Sequence, residues 1–170
     1  MGIIRKIVHV LSFFTYLLIG VYVIALLPFV VGYTPLVVLT GSMEPTYMTG
    51  SVIYYKSVSK EELKQGDVIT YNADEDTVVT HRIDSIDENN NYVTKGDAND
   101  SVGPVSINYE NVRGKVVKYS LPYVGYYISF INSNLYVIAI VAVILISEFL
   151  LGGDKTDDIN KKKKGEKTDE

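Results

Sequence analysis

The sequence predicts a small, mostly β domain that lies between two membrane-spanning helices. Two observations predict the helices: residues 10–43 contain no acid, lysine or arginine, and neither do residues 119–147. A third predicts the domain, because the segment between them consists of short Val-, Ile- and Tyr-rich runs separated by turn-forming residues. The predicted segments are an N-terminus (1–9), a first span (10–32), a β-rich domain (33–127), a second span (128–151) and a tail (152–170).

The first span is long enough to cross a bilayer. Its most apolar part covers residues 11–31, and about 20 helical residues cross a ~30 Å hydrocarbon core. A cleaved secretory signal is the alternative reading. Such signals usually have a shorter apolar core, however, and no small-x-small cleavage pattern follows this stretch. We therefore expect an uncleaved anchor.

The charges that flank the two spans predict the topology. Arg5 and Lys6 precede the first span, whereas Lys155 and the lysines of residues 161–164 follow the second. The apolar run of the second span ends at Glu148, which would lie near the interface. Cytoplasmic flanks are enriched in lysine and arginine. We therefore expect two passes through the cell (plasma) membrane, with both termini in the cytoplasm and the β-rich domain on the extracytoplasmic face. The polar residues 152–170 are expected to form a disordered tail.

Composition excludes several classes of function. Residues 44–118 contain thirteen acidic and eight basic residues, and a net charge of this sign argues against a nucleic-acid partner. The chain has no cysteine, so disulfides, thiolate metal sites and a cysteine nucleophile are excluded. Only two histidines are present, His9 and His81, so a multi-histidine metal centre is not expected.

The β-rich domain is predicted to contain five strands, at residues 51–56, 67–72, 78–87, 92–95 and 115–120. The Asn-rich residues 89–91 predict that the third and fourth strands form a hairpin. Between the first two strands, Ser59 is followed three residues later by Glu62. This spacing fits a capping box and predicts a short helical turn, which Gly66 would end.

Two side chains are candidates for nucleophilic chemistry. Ser42 follows Gly41 where the chain leaves a β-like run and turns, a place that can expose a hydroxyl together with backbone N–H groups. His81 lies on a predicted strand, and its ordinary pKa of about 6.5 lets it act as an unprotonated base at neutral pH. An ordinary turn serine and a structural histidine are the simpler explanations of each residue taken alone. Arg82 is expected on the opposite face of its strand.

A turn with two carboxylates follows the fourth predicted strand. Asp97 or Asp100 could hold the histidine ring in the required tautomer and stabilise its cation. The segment fits a calcium site poorly, because its spacing differs from the EF-hand pattern and supplies too few ligands. Its Lys-Gly-Asp-Ala-Asn sequence is better explained by tight backbone packing near a site.

Taken together, five motifs resemble type I signal peptidases in order and spacing, from the first span to about residue 125. A histidine in place of the family's more familiar catalytic lysine resembles the endoplasmic-reticulum-type branch, which includes archaeal enzymes and the SipW-like enzymes of Gram-positive bacteria. The motifs are LTGSMEPT at 39–46, GDVI at 66–69, VTHRI at 79–83, KGDAN at 95–99 and RGKV at 113–116.

The resemblance implies a role for each matched residue. Ser42 would be the acyl-forming nucleophile, His81 its general base and Asp97 the acid partner, whereas Thr40 and the Ser42 N–H would line the oxyanion hole. Relatives often carry a further aspartate six residues beyond the position of Asp97, where this chain has glycine. Asp100 is the nearest substitute, which leaves open which carboxylate orients the histidine.

The resemblance also implies a function, that of a membrane-bound serine endopeptidase that removes signal peptides from secreted preproteins. The family's fold is a small β-rich catalytic core near the membrane surface. Its substrates carry small-x-small cleavage sites, no cofactor is required, and the expected partners are these preproteins, the lipid bilayer and the protein-translocation machinery. The alternative is a noncatalytic, membrane-anchored β module that binds secretory proteins or serves as a subunit of a complex.

Overall fold

The computed structural model describes residues 2–103 and 105–165, with side chains as far as Leu151. Residues 22–130 form one compact unit that contains the whole sheet, and the remaining described residues form a second unit. The described elements are α1 (Gly2–Val30), β1 (Thr34–Val37), β2 (Val52–Lys56), β3 (Val68–Asn72), β4 (Val78–Ile86), β5 (Tyr92–Lys95), β6 (Val112–Leu121), α2 (Val124–Ser133) and α3 (Tyr136–Gly165).

The six strands form one antiparallel sheet in the order β1-β2-β6-β3-β4-β5. All five predicted strands are confirmed to within a few residues, and β4 and β5 pair as the predicted hairpin. The sequence missed β1. This strand has only four residues and includes Pro35, so it was interpreted as part of the apolar stretch before Ser42. Its place at the sheet edge agrees with the confinement of proline to edge strands.

Strand β6 lies between β2 and β3 and begins three residues earlier than predicted. The early part contains Gly114, and an isolated glycine weakens the sequence signal of a strand. Here the glycine is required by close packing, because a Cβ at this position would collide with the carbonyl of Lys56. The end of strand β2 can therefore approach the backbone of β6 closely at Gly114.

Helix α1 begins before the predicted span and ends at Val30. Its end is a Schellman motif: the Tyr33 N–H donates to the Pro28 carbonyl (3.1 Å) and the Gly32 N–H to the Phe29 carbonyl (3.0 Å). Gly32 has a φ of +87°, the left-handed conformation that glycine adopts most easily. Helix α1 is long and apolar enough to cross a membrane.

The second apolar stretch differs from the prediction of one helix over residues 128–151. It consists of α2 and α3, which are separated by Asn134 and Leu135. The pair is bent at this break, and among the described residues it meets the criterion for a span only if the two helices count as one. Helix α3 continues to Gly165 through most of the tail that was predicted to be disordered, where lysine is a good helix former. Residues 166–170 lie outside the described residues.

The prediction of a mostly β fold holds for the domain but not for the chain, which has mixed helix and sheet content. The predicted turn is confirmed as a 3₁₀ turn, Lys60–Glu62, with both hydrogen bonds of the Ser59/Glu62 capping box. Most of the core lies in residues 22–130, where three buried clusters form. They are Met43, Tyr47, Ile53, Val68 and Val116; Leu63, Ile69, Tyr71, Ile83 and Tyr92; and Ala25, Val52, Tyr54 and Ile128.

Candidate functional site

Ser42 occupies the middle of a single 3₁₀ turn, Gly41–Met43, just after β1. The turn is closed by the Glu44 N–H, which donates to the Gly41 carbonyl (3.0 Å), and Met43 fixes it to the core because only 2% of its surface is exposed. Thr40, the residue before the turn, is exposed and makes no capping hydrogen bond. Its hydroxyl is therefore available to a bound group.

Glu44 stabilises the loop that follows the serine. Its Oε1 accepts hydrogen bonds from the N–H (3.1 Å) and the hydroxyl (2.9 Å) of Thr49. These bonds favour the ionised carboxylate and lower the pKa of Glu44. Glu44 belongs to the motif at 39–46, but no role was predicted for it. The contact between Glu44 and Thr49 spans five residues. This spacing does not match helix or strand periodicity, so the sequence pattern could not predict it.

His81 lies on β4 opposite Ile69 of β3 and is half-buried. Its Nδ1 lies 3.5 Å from the hydroxyl oxygen of Tyr71, which also lies 3.0 Å from the hydroxyl of Thr94. Burial disfavours the charged ring and lowers the pKa of His81, and the negative charge of Asp97 opposes this shift only in part. The ring is therefore neutral at neutral pH.

Ser42 and His81 line the same cavity, which has a volume of about 670 Å³. The serine turn packs against β4, the strand that carries the histidine. Thr40 also lines the cavity, whose remaining walls are largely apolar and include Leu36, Val38, Met43 and Ile53. The structure thus brings together three of the five residues that the sequence singled out.

The loop that contains the Lys-Gly-Asp-Ala-Asn motif packs directly on the serine turn. The Ala98 N–H donates to the carbonyl oxygen of Ser42 (2.9 Å). A Cβ at Gly96 would lie only 2.5 Å from the same oxygen and 2.8 Å from the Asn99 amide nitrogen. The expectation that this motif serves tight backbone packing is confirmed, and the contact requires glycine.

Asp97 does not hydrogen bond to His81. Its carboxylate binds Arg82, with Oδ1 2.8 Å from Nε and Oδ2 2.6 Å from Nη2, and it also accepts a hydrogen bond from Thr46. Burial alone would raise the pKa of Asp97, but the hydrogen bonds from Arg82 and Thr46 outweigh it and lower the pKa. Arg82, which was not expected to contact the site, therefore binds one of its predicted members.

Asp100 is exposed, and the described part of the chain shows no hydrogen bond or ion pair from its side chain. Tyr71, a neighbour of the histidine ring, was not predicted. The pairing of β3 and β4 would have identified it, because Ile69 lies opposite His81 and Tyr71 lies two residues farther along the same face. Asn99, which lines the cavity, was also missed.

A second, larger cavity of about 830 Å³ contains neither Ser42 nor His81. Four tyrosines and several lysines line it together with Pro28, near the end of α1. Three of its charged lining residues already have partners, because Asp67 binds Lys115 (2.7 Å) and Arg82 binds Asp97, which lies outside the lining. The smaller cavity is the candidate active site, because Ser42 and His81 both line it.

The chain is similar to known signal peptidases. A family model described as "Signal peptidase, peptidase S26" matches residues 9–95, a region that includes Ser42 and His81 and ends before Asp97. Signal peptidase I W of Bacillus subtilis (strain 168) is 43% identical over 99 residues, which cover 56% of this chain and 52% of the relative.

Two relatives come from eukaryotes. The signal peptidase complex catalytic subunit SEC11 of Candida dubliniensis is 32% identical over 114 residues, covering 59% of this chain and 66% of the relative. The corresponding SEC11C of Canis lupus familiaris is 28% identical over 101 residues, covering 52% of each. The chain therefore spans between about half and just under two thirds of the length of these relatives.

The close approach at Gly96 predicts that Gly96→Ala destabilises the protein. The new Cβ would push against the Ser42 carbonyl, and overpacking of this kind typically costs about 1–3 kcal/mol. Thermal unfolding in detergent measures the loss. Gly103→Ala is the control in the same loop, since its Cβ would lie 3.3 Å from the Thr94 carbonyl, a contact that a small shift relieves. Equal unfolding temperatures for the two variants would contradict the packing argument.

The Arg82–Asp97 pair predicts a pH-dependent contribution to stability. We expect Asp97→Asn to lower the free energy of unfolding by about 1–2 kcal/mol at neutral pH, because Arg82 is partly exposed and the pair is partly screened. The folded pKa of Asp97 lies below its ordinary value of 3.8. The contribution is therefore complete above about pH 4 and is lost as the pH falls through the lowered folded pKa.

Denaturant titrations of both proteins across this pH range measure the difference. Asp84→Asn, which alters an exposed carboxylate on β4, is the matched control and should leave the stability nearly unchanged. If the difference between the original protein and Asp97→Asn were the same well below pH 4 as at neutral pH, the carboxylate would not be the stabilising group.

Proposed function

Because the chain belongs to the signal peptidase family, peptidase S26, we propose that it is a membrane-bound serine endopeptidase that removes N-terminal signal peptides from secreted preproteins. One observation carries the proposal: Ser42 and His81 line the same largely apolar cavity beside the sheet. A hydroxyl and a neutral imidazole are the two groups that acyl transfer without a metal requires.

In the proposed mechanism, the Ser42 hydroxyl attacks the carbonyl carbon of the scissile peptide bond and transfers its proton to Nε2 of His81. The tetrahedral intermediate collapses to an acyl-enzyme when the imidazolium returns this proton to the leaving amine. Water then attacks the ester with His81 again as the base, which releases the signal peptide with a new carboxyl terminus and regenerates the serine. No cofactor takes part.

The tautomer of His81 follows from its neighbours. For Nε2 to accept the serine proton, Nδ1 must carry a hydrogen. The hydroxyl oxygen of Tyr71, 3.5 Å from Nδ1, is the acceptor nearest to that hydrogen. It occupies the place in which a triad has a carboxylate.

Asp97 acts in this proposal without contacting the histidine. Its negative charge favours the imidazolium that forms during the reaction, and its bonds to Arg82 and Thr46 fix the loop that carries Ala98. Asp97 is therefore a positioning residue in this chain. Asp100, which is exposed, is the weaker candidate for orienting the histidine.

Thr40 and Ser42 are the proposed oxyanion hole. The Thr40 hydroxyl lines the cavity, and it together with the Ser42 N–H would donate hydrogen bonds to the oxyanion of the tetrahedral intermediate. Removing one donor of this kind costs roughly 10²–10³ in kcat. The apolar walls, among them Leu36 and Val38, suit the small side chains of a small-x-small cleavage site.

The proposed location is the cell (plasma) membrane, with α1 as the anchor, a second pass by α3, and the catalytic sheet on the extracytoplasmic face. Arg5 and Lys6 in the first turns of α1 and the lysines after residue 151 support this orientation. A signal peptide that emerges from the bilayer would then meet a serine only twelve residues beyond the end of the anchor. Both reactants are held at one surface, which supplies proximity and orientation.

The names of the SEC11 relatives describe catalytic subunits of a signal peptidase complex. We propose that this chain cuts on its own, with the translocation machinery as the source of its substrates. The noncatalytic alternative, a β module that binds secretory proteins within a complex, requires that the purified chain be inactive until another subunit is added.

The proposed nucleophile and base predict a matched set of losses. Processing of a preprotein by the purified full chain in detergent should fall by up to roughly 10⁶ in Ser42→Ala and by a comparable factor in His81→Ala. The controls are Ser101→Ala, which changes an exposed serine, and His9→Ala, which changes the chain's other histidine. Processing that survives in Ser42→Ala would exclude the mechanism, whereas an original protein that is inactive alone favours the noncatalytic alternative.

The lowered pKa of His81 predicts the pH profile. The base must be unprotonated in the free enzyme, so kcat/KM should fall as the pH drops through a value below the ordinary 6.5. Rates at preprotein concentrations well below KM over a pH series measure this limb, and the unfolding temperature at each pH shows whether the protein stays folded. An acid limb centred above 6.5 would contradict a base whose pKa is lowered by burial.

A further inference from the structure

An exposed aromatic stripe runs along α2. Tyr126 and Phe130 are 56% and 53% exposed, and their spacing of four residues places them on one side of the helix. Tyr123, the residue just before α2, adds a third exposed ring, at 67%. No acid, lysine or arginine occurs from Tyr119 to Ser147. Large aromatic side chains that remain exposed without charged neighbours indicate a surface that contacts something other than water.

The opposite side of α2 packs against the second half of α1. Ile128 lies in one buried cluster with Ala25 of α1 and Val52 of β2. The rings of Tyr22 and Tyr127 meet edge to face, with their centroids 6.4 Å apart. Helix α2 therefore lies at the level of Tyr22 and Ala25 along α1.

The position of these two residues along α1 fixes the depth of α2. A hydrocarbon core of ~30 Å takes about 20 helical residues. Arg5 and Lys6 stay near the inner interface because of their charge, and α1 ends at Val30. A stretch of this length that begins just after Lys6 ends near Leu26, so Tyr22 and Ala25 lie in its last turns. If α1 crosses a bilayer in this register, α2 lies at the level of the outer interface.

We propose that α2 is an interfacial helix that inserts its aromatic stripe into the outer leaflet, with the acyl chains and headgroups of the bilayer as its partner. Tyrosine and phenylalanine suit this level, because their rings prefer the membrane interface. The inference rests on the proposed function only through the crossing of the membrane by α1.

The same helix contacts the loop that follows the serine. The Gly125 N–H donates to the Gly50 carbonyl (2.9 Å), and the Gly50 N–H donates to the carbonyl of Val38 (2.8 Å), a residue that lines the cavity. A Cβ at Gly50 would overlap the ring of Tyr126. Two hydrogen bonds thus connect α2 to the wall of the cavity. The depth of α2 in the bilayer therefore determines the height of the cavity above the lipid.

Tryptophan fluorescence tests the insertion directly, because the chain contains no tryptophan. The full-length variants Tyr123→Trp and Phe130→Trp are reconstituted into phosphatidylcholine vesicles that carry bromine either near the headgroup or near the bilayer centre. We expect about a twofold loss of fluorescence in headgroup-proximal brominated lipid, with the rings roughly 5–10 Å below the headgroup boundary. Ile86→Trp, on the far side of the sheet at the end of β4, should lose almost none.

Leu17→Trp, in the middle of α1, distinguishes the two ways in which the experiment can fail. Quenching of Trp at position 17 by bromine near the bilayer centre reports the crossing by α1. If that signal appears and the α2 probes behave like the Ile86→Trp control, the insertion of α2 is overturned and the proposed function stands. If position 17 is not quenched, the membrane crossing itself fails. Blue-shifted emission from the α2 probes without quenching indicates burial against another copy of the chain and also overturns the inference.

Discussion

The position of Ser42 depends on hydrogen bonds made by backbone atoms rather than by its own side chain. The Ser42 carbonyl accepts from Ala98, which joins two loops more than fifty residues apart. The contact is possible because Gly96 has no Cβ, and it persists because Arg82 and Thr46 hold Asp97. The Ser42 side chain takes no part in these structural contacts. Among the described residues Ser42 Oγ makes no hydrogen bond, so its hydroxyl is available for chemistry.

The charges around the candidate site are divided between structure and reactivity. Arg82 and Asp97 form an ion pair. The Asp97 carboxylate is therefore bonded to Arg82 rather than to the half-buried His81. A direct carboxylate contact would raise the pKa of His81, whereas burial lowers it. The arrangement favours the neutral ring. Tyr71 can still define its tautomer, because a hydroxyl accepts a hydrogen bond without adding a charge.

The sequence predicted those parts of the fold whose signals are local. Strands β2 to β6 have the residue types of strands, the β4–β5 hairpin has an Asn-rich turn, and the Ser59/Glu62 spacing matches its cap. The parts it missed depend on contacts between distant segments. The Arg82–Asp97 pair joins β4 to a later loop, and Tyr71 approaches His81 only through strand pairing. The break at Asn134 lies within the predicted span 128–151, which has no proline or glycine. Alternation along one strand could place Arg82 on a face but could not name its partner.

The connection between α1 and β1 consists of only three residues, 31–33, and the Schellman motif fixes its conformation. A link this short and rigid allows the sheet almost no rotation about the end of the helix. Anchored in a lipid plane, such an enzyme would meet its substrates by lateral diffusion in two dimensions, with its cavity always at one fixed distance from the plane. This fixed distance would then select the bond that is cut, because only peptide bonds at that height above the membrane reach the cavity.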